Sequence, residues 1–145
     1  MATSDRWTEV LKRQADAEAL ALARIVAYRE ALVADREALA AEIARRAAGG
    51  RTASAAGSVI VVQMHESERL RDRLSRLDDR IAQAAASERE QAERVTKARQ
   101  AWEVARLIQQ QRDQDRGAIR ARRSERQWQD WMTTLKATDR DGRGK

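Results

Sequence analysis

The chain of 145 residues contains no cysteine, no proline and no phenylalanine, and His65 is its one histidine. Without cysteine there is neither a disulfide framework nor a thiolate metal site, and a single imidazole cannot build a metal site alone. The longest uninterrupted aliphatic run is Val59–Val62, far short of the roughly 20 residues that span a membrane. The first ten residues lack the apolar segment of a signal peptide. We therefore expect a cytoplasmic protein without a metal centre.

What the chain does contain is charge. Charged residues make up 36% of the sequence and aromatic residues 3%, and the net charge is +6. Alanine, arginine, glutamate, leucine and glutamine dominate, which is typical of long exposed helices and coiled coils. Such polarity also suits a disordered chain, but the absence of proline and the regular spacing of leucine and isoleucine favour helices. Residues 101–145 carry eleven basic and seven acidic groups and so hold most of the excess charge.

Two apolar stripes with helical spacing predict two helices separated by one break. The first helix is expected over about residues 5–48 and the second over about residues 58–135. The break is the segment GGRTASAAG at residues 49–57, because glycine readily ends a helix. The run VIVV at Val59–Val62 is β-like, but four residues cannot make a sheet alone, so we expect a helical turn. Residues 136–145 are expected to form a disordered tail of a single elongated domain, 1–145.

The expected fold class is all-α, an antiparallel two-helix coiled-coil hairpin in which the second helix extends past the N-terminus. Folding the chain back near Ser54 pairs apolar residues of the two stripes at nearly every step. Glu88 and Gln91 are polar intrusions in the second stripe. Dimerisation through the same stripe is the alternative. The predicted seam residues are Trp7, Leu11, Ile25, Tyr28, Leu32, Leu39, Leu70, Val95, Ala98 and Trp102.

No catalytic or cofactor site is predicted. A two-helix hairpin has no enclosed pocket of ligand size, and no phosphate loop, nucleophile–base pair or metal-ligand cluster is present in the sequence. Asp78 and Asp79 are adjacent and diverge around the helix, which is typical of a solvated face. We expect no catalytic residues, no cofactor and no small-molecule substrate, so function should depend on binding surfaces.

The stretch RQWQDWMTTL near the end of the second helix is the best candidate binding surface. Trp128, Trp131, Met132 and Leu135 are spaced i, i+3, i+4 and i+7 and share one helix face, the pattern of helix-in-groove recognition. Tryptophan is enriched at binding hot spots, and methionine adapts to varied partners. We expect this face, called the tryptophan face, to bind a partner protein. Packing on the chain itself and self-association are the alternatives.

A cluster of arginines lies just upstream. An acidic protein surface and nucleic acid are its two functional interpretations, and a solvated surface is the third. Gly117 lies inside this cluster and weakens the helix, so a kink is conceivable there. The cluster, called the basic face, consists of Arg116, Arg120, Arg122, Arg123 and Arg126.

The chain resembles the flagellar FliJ family and its injectisome relatives of the YscO type, the small central stalk proteins of type III export machines. The resemblance covers nearly the whole length. It rests on the opening RWTEVLKRQADAEALALARIVAYREAL, the break near residue 50, and a second helix containing RLSRLDDRIAQ and ARQAWEVARLIQQQRD.

The resemblance implies a non-enzymatic protein that couples a hexameric export ATPase to the export gate and binds export chaperones through its C-terminal helix. Such a protein is cytoplasmic and peripheral to the inner membrane through the secretion complex. In that picture the segment Gln109–Leu135 would meet the ATPase or chaperones, and the basic face would meet acidic pore loops. Gate contacts lie early in the second helix of family members, at positions that here hold Leu74, Leu77, Ile81 and Ala84.

Two other functions stay open from the residues alone. The first is a basic coiled-coil protein that binds nucleic acid through Arg106–Arg126, with affinity that falls steeply with salt. The even charge of residues 1–100 disfavours it. The second is a homo-oligomeric coiled-coil scaffold that works without an ATPase.

Overall fold

The computed structural model describes residues 3–50 and 57–144 as two helices, α1 (Thr3–Gly50) and α2 (Gly57–Gly142). The predicted all-α fold, with two helices packed against each other, is confirmed, and the described residues include no strand. The apolar run Val59–Val62 is helical, as expected. Within the described part of the chain, no helix is long and apolar enough to cross a membrane.

The helices are longer than the sequence predicts. Gly49 and Gly50 belong to α1, and no glycine in the described residues has a positive φ. The centre of the expected hinge, residues 51–56 with Ser54, lies outside the described residues. At the other end, residues 136–142 are helical rather than a disordered tail. Lys136 and Ala137 favour a helix, no proline interrupts it, and Arg140 in the last turn interacts favourably with the helix dipole.

The single elongated domain expected from the sequence divides into two compact units. The coil unit comprises residues 12–50 and 57–99, and the terminal unit comprises residues 3–11 and 100–144. Each unit contains a part of both helices.

In the coil unit the helices run antiparallel. Arg29 pairs with Glu88, and Arg46, further along α1, pairs with Glu66, which lies earlier in α2. The core consists of buried Leu32, Leu39, Leu77 and Ala84, with Ile43, Leu70, Leu74 and Ile81 packed against it. Each helix therefore buries one apolar stripe. Removing apolar surface from water contributes about 25 cal/mol per Å², and this burial is the main contribution to the stability of the coil unit.

On α2 the seam follows the heptad pattern without interruption. Residues at alternating steps of three and four are buried or half-buried, and the two polar intrusions, Glu88 and Gln91, keep their places in it. In the coil unit these seam positions are Leu70, Leu74, Leu77, Ile81, Ala84, Glu88, Gln91, Val95 and Ala98.

On α1 two of the predicted seam residues lie outside the seam. Trp7 is 62% exposed and Tyr28 is 48% exposed. The heptad spacing assigns the seam positions to the next residues, Thr8 and Arg29, which are half-buried. Tyr28 instead lies at the edge of the seam, where its hydroxyl accepts a hydrogen bond from Arg80 at 2.7 Å. The remaining predicted α1 seam residues, Leu11, Ile25, Leu32 and Leu39, are buried or half-buried.

Polar residues in the seam of one helix meet polar residues of the other. Gln91 is buried and donates from its amide nitrogen to the backbone carbonyl of Glu18 at 3.1 Å and to the Glu18 carboxylate. Arg29 donates to Glu88, and Arg36 donates to Asp78. No buried side-chain nitrogen or oxygen in the described residues lacks a partner. Because a buried polar group costs free energy unless it is hydrogen-bonded, the buried Gln91 amide favours one register of the two helices. The part-buried Arg29–Glu88 pair favours the same register, and the exposed Arg36–Asp78 pair contributes little.

Candidate partner-binding surface on the second helix

In the terminal unit, α1 covers α2 only as far as Gln109. The Gln109 amide donates to the carboxylate of Asp5, near the first turn of α1. Two turns earlier in α2, Trp102 is half-buried, and the Arg106 guanidinium lies 5.8 Å from the centre of its ring. Every described residue from 110 to 144 is exposed. The helical part of that segment, residues 110–142, spans about 50 Å at 1.5 Å per residue, and we call it the bare segment.

The tryptophan face lies on the bare segment and is solvent-exposed. Trp128 is 60% exposed and Trp131 is 53% exposed, while Met132 and Leu135 also expose much of their side chains. The two indole rings lie with centroids 5.1 Å apart and planes inclined by 37°. Two adjacent tryptophans in water are costly, because together they keep on the order of 280 Å² of mostly apolar surface in contact with solvent. Such a surface marks a binding site more often than an accident of composition.

The bare segment continues the seam of α2, but with arginine in place of leucine. Stepping by three and four residues beyond Gln109 reaches Arg112, Arg116, Ile119, Arg123 and Arg126. The four arginines among these positions form what we call the arginine row. All are exposed, and three of them belong to the basic face predicted from the sequence. The other two members of the basic face, Arg120 and Arg122, flank the row and are exposed as well.

The tryptophan face and the arginine row lie on nearly opposite sides of α2. Trp128 lies two residues from the seam positions Arg126 and Asp130, and Trp131 lies one residue from Asp130 and two from Thr133. At 100° per residue, the centre of the four-residue tryptophan face is rotated by about 150° from the centre of the arginine row. The tryptophan face therefore does not continue the internal seam. Prolonging α1 would bury the arginine row and leave the tryptophans exposed.

The residues that the resemblance assigns to an export-gate contact pack between the two helices. Leu77 and Ala84 are buried in the core of the coil unit, and Leu74 and Ile81 pack against them. Their side chains are engaged by α1, so they are not available to a second protein while the two helices remain paired. The seam residues Val95 and Ala98 are likewise covered.

An exposed apolar surface lies at the start of α2 and includes Val59–Val62, which the sequence predicts only as a helical turn. Val59, Ile60, Val61, Val62 and Met64 point in all directions around the first turns of the helix and are exposed. Four consecutive aliphatic residues cannot share one face of a helix. The run therefore predicts that some of these side chains are exposed.

Next to that surface, the ends of the two helices border an open groove of about 700 Å³. Its apolar lining comes from Ile43, Ile60 and Met64. Arg46, at the rim, donates hydrogen bonds to Glu42 and Glu66. The hydrogen bond from Arg46, together with the charge of Arg45, lowers the pKa of the Glu42 carboxyl.

Among the described residues, no three His, Cys, Asp or Glu side chains lie close enough together to hold a metal ion. His65 is exposed on α2, 3.9 Å from the Glu68 carboxylate. The chemistry available on the bare segment is recognition by apolar burial and by guanidinium pairing.

Comparisons with protein-family models, with curated proteins and with solved structures find no match for this chain.

Proposed function

We propose that this chain is a non-enzymatic stalk component of a type III protein export apparatus. It couples a hexameric export ATPase to the export gate and binds export chaperones. The observation that carries the proposal is the bare segment, in which α2 continues well beyond its partner helix and every side chain is exposed. The sequence resemblance to the FliJ and YscO-type stalk proteins supports the same function.

The distribution of chemistry around the bare segment fits a binding site that encloses the helix. A helix that docks in a surface groove needs recognition residues on one face only. Here the centres of the tryptophan face and the arginine row lie about 150° apart, so a partner that uses both must contact both sides. The pore of a ring-shaped ATPase has that geometry. Acidic side chains on the ring would pair with the arginines, and an apolar pocket would take the indoles.

The long second helix suits mechanical coupling. It runs through 86 residues as one α-helix, and Gly117 does not interrupt it. A continuous helix transmits a displacement at one end to the other, whereas a loop would absorb it. Because Leu77 and Ala84 are buried and Leu74 and Ile81 pack against them, a gate protein would have to bind other, exposed residues of the coil unit.

The test is binding of the purified full-length chain to the purified export ATPase of the same cell, measured by co-sedimentation and titration. One variant carries Trp128→Ala and Trp131→Ala, and a second carries Arg116→Ser and Arg123→Ser. Trp7→Ala is the matched control, because Trp7 is as exposed as Trp128 but lies far from the tryptophan face in the sequence. Far-UV circular dichroism verifies that each variant keeps its helicity.

We expect wild type and Trp7→Ala to bind equally and the double tryptophan variant to lose at least about 100-fold in affinity. About 280 Å² of indole surface at 25 cal/mol per Å² corresponds to about 7 kcal/mol, more than twice the about 2.7 kcal/mol that this factor requires. The arginine variant should bind more weakly at low salt in particular. If the wild-type chain binds neither the ATPase nor an export chaperone, the proposal is wrong. Salt-steep binding to nucleic acid instead would favour the basic coiled-coil alternative.

A further inference from the structure

The tryptophan face is one half of a longer heptad stripe along the bare segment. The stripe steps by alternating three and four residues and lies on the side of α2 away from the arginine row. Its first half carries small side chains, and its second half carries bulky ones. In order, its central members are Gly117, Ala121, Ser124, Trp128, Trp131 and Leu135.

Small residues followed by large residues at matched spacing make the stripe complementary to itself when it is reversed. Two copies placed antiparallel bring Trp128 of each against Ser124 of the other, and Trp131 against Ala121. Leu135 meets Gly117 in the next layer. Every layer then combines one large and one small side chain, the arrangement that lets knobs fill holes across a helix pair.

We propose that the tryptophan face binds a second copy of this chain, in an antiparallel pair with two-fold symmetry between the bare segments. A two-fold contact uses the same surface patch on both molecules, so one stripe satisfies both sides. This surface is distinct from the seam between α1 and α2, which the chain already fills with its own residues.

Other pairings of the same stripe fit less well. In a parallel pair each residue meets its own copy, so the Trp128 and Trp131 layers are crowded and the Gly117 and Ala121 layers are left with gaps. Sliding the antiparallel pair by one heptad places Trp131 against Gln114 instead of Ala121. Since both overcrowding and voids destabilise a packed interface, the large-to-small register is favoured.

The charge distribution and the exposed apolar area of the bare segment both fit a second copy of this chain as the partner. The arginine row, with Arg123 and Arg126, points away from the second copy into solvent, so the basic charge is not buried. The two tryptophans, Met132 and Leu135 expose on the order of 400 Å² per chain. With the small residues included, the surface buried by two chains approaches about 1,200 Å², the lower limit for specific interfaces. One like-charged contact remains, between the Glu125 side chains near the two-fold axis.

The pair does not depend on the stalk function, but it would compete with it. Trp128 and Trp131 cannot contact a second copy and another protein at the same time. In the free protein the second copy would cover the indoles, and a partner that binds the bare segment would displace it. Self-association and partner binding are therefore measured separately, the first with the purified chain alone.

Covalent trapping tests the register directly, because the natural chain has no cysteine. Gly117→Cys and Leu135→Cys proteins are prepared separately, mixed and oxidised. A side chain at residue 117 has open space around it, so the first variant should fold normally. We expect a disulfide-linked dimer of about 33 kDa, twice the 16.4 kDa chain, only in the mixture. Linked dimers from each variant alone would indicate a parallel pair and overturn the antiparallel register. No linked dimer in any sample would overturn the proposal altogether.

Sedimentation of full-length variants tests the surface. Ala121→Trp fills the hole that Trp131 of the second copy would occupy, and we expect the dimer to weaken at least 30-fold. Ala137→Trp is the matched control, since it adds the same side chain on the side of the arginine row and should leave the dimer intact. Glu125→Gln should tighten the dimer by removing the like-charged contact. A wild-type chain that stays monomeric at high concentration, or a dimer insensitive to Ala121→Trp, would overturn the proposal.

Discussion

The buried amide of Gln91 gives the sharpest test of how the two helices are held in register. Gln91 is 7% exposed, and its amide nitrogen donates to the Glu18 backbone carbonyl at 3.1 Å and to the Glu18 carboxylate. The perturbation is a double-mutant cycle of Gln91→Ala, Glu18→Ala and the two together. Both residues lie in the coil unit, so the cycle reports on one compact body.

The expected magnitude follows from the two hydrogen bonds. A neutral bond to a carbonyl contributes about 1 kcal/mol net, and a bond to a carboxylate contributes about 1.5–3 kcal/mol. Glu18 is half-buried and regains water when the amide is lost, so Gln91→Ala should lower the free energy of unfolding by about 2 kcal/mol. Glu18→Ala keeps the carbonyl bond but loses the bond to the carboxylate, and should cost about 1.5 kcal/mol. With about 2 kcal/mol for the double variant, the coupling energy is about 1.5 kcal/mol.

The assay is urea unfolding followed by far-UV circular dichroism, at one protein concentration for all variants. Gln100→Ala, an exposed glutamine of the same helix, is the control and should change the free energy of unfolding by less than about 0.5 kcal/mol. If Gln91→Ala is as mild as the control, or if the cycle shows no coupling, the pair does not hold the register and the reasoning is refuted.

Two further predictions concern packing and helix continuity. Leu32→Ala should lower the free energy of unfolding by about 2–3 kcal/mol, because Leu32 is 4% exposed in the core. The measurement is the midpoint of urea unfolding. Leu20→Ala is the control and should cost much less, because Leu20 is 55% exposed. Gly117→Ala should stabilise the bare segment by about 1 kcal/mol, because the added methyl has open space. Slower amide hydrogen exchange around residue 117 would show it, and unchanged exchange would contradict a continuous helix there.

The seam on α2 could be predicted from the sequence because heptad spacing alone defines it. Counting from Leu74 by three and four residues places Glu88 and Gln91 in the seam, and the structure keeps both there. On α1 the prediction followed residue size rather than spacing, and so it selected Trp7 and Tyr28 in preference to Thr8 and Arg29. A large apolar side chain one residue away from a seam position lies about 100° around the helix and remains in water.

The missed signal was the match between polar intrusions on the two helices. Gln91 is a polar intrusion in the second stripe, and its partner on the first helix is Glu18, a pairing that apolar spacing alone does not predict. Their hydrogen bonds make both residues members of the seam. Arg29 was missed for the same reason, because a charged residue in a seam is expected only where its partner, here Glu88, is already known.

The sequence predicts which residues form the tryptophan face but not on which side of α2, relative to the seam, that face lies. The spacing of Trp128, Trp131, Met132 and Leu135 defines one face, and the structure leaves all four exposed. Their position opposite the arginine row follows only when the seam is continued past Gln109, which requires knowing where α1 stops covering α2. The helical state of residues 136–142 was also not predicted, since a polar, glycine-containing end resembles a tail in composition.

The hydrogen bond between Gln91 and Glu18 also determines how far the second helix projects. If one helix slid along the other by a heptad, Glu18 would meet Ala84 or Ala98, and a half-buried carboxylate would lose its amide donor. The same slide would lengthen or shorten the uncovered end of α2 by about 10 Å. The polar contact between Gln91 and Glu18 thus helps to determine the length of the bare segment, although neither residue belongs to it.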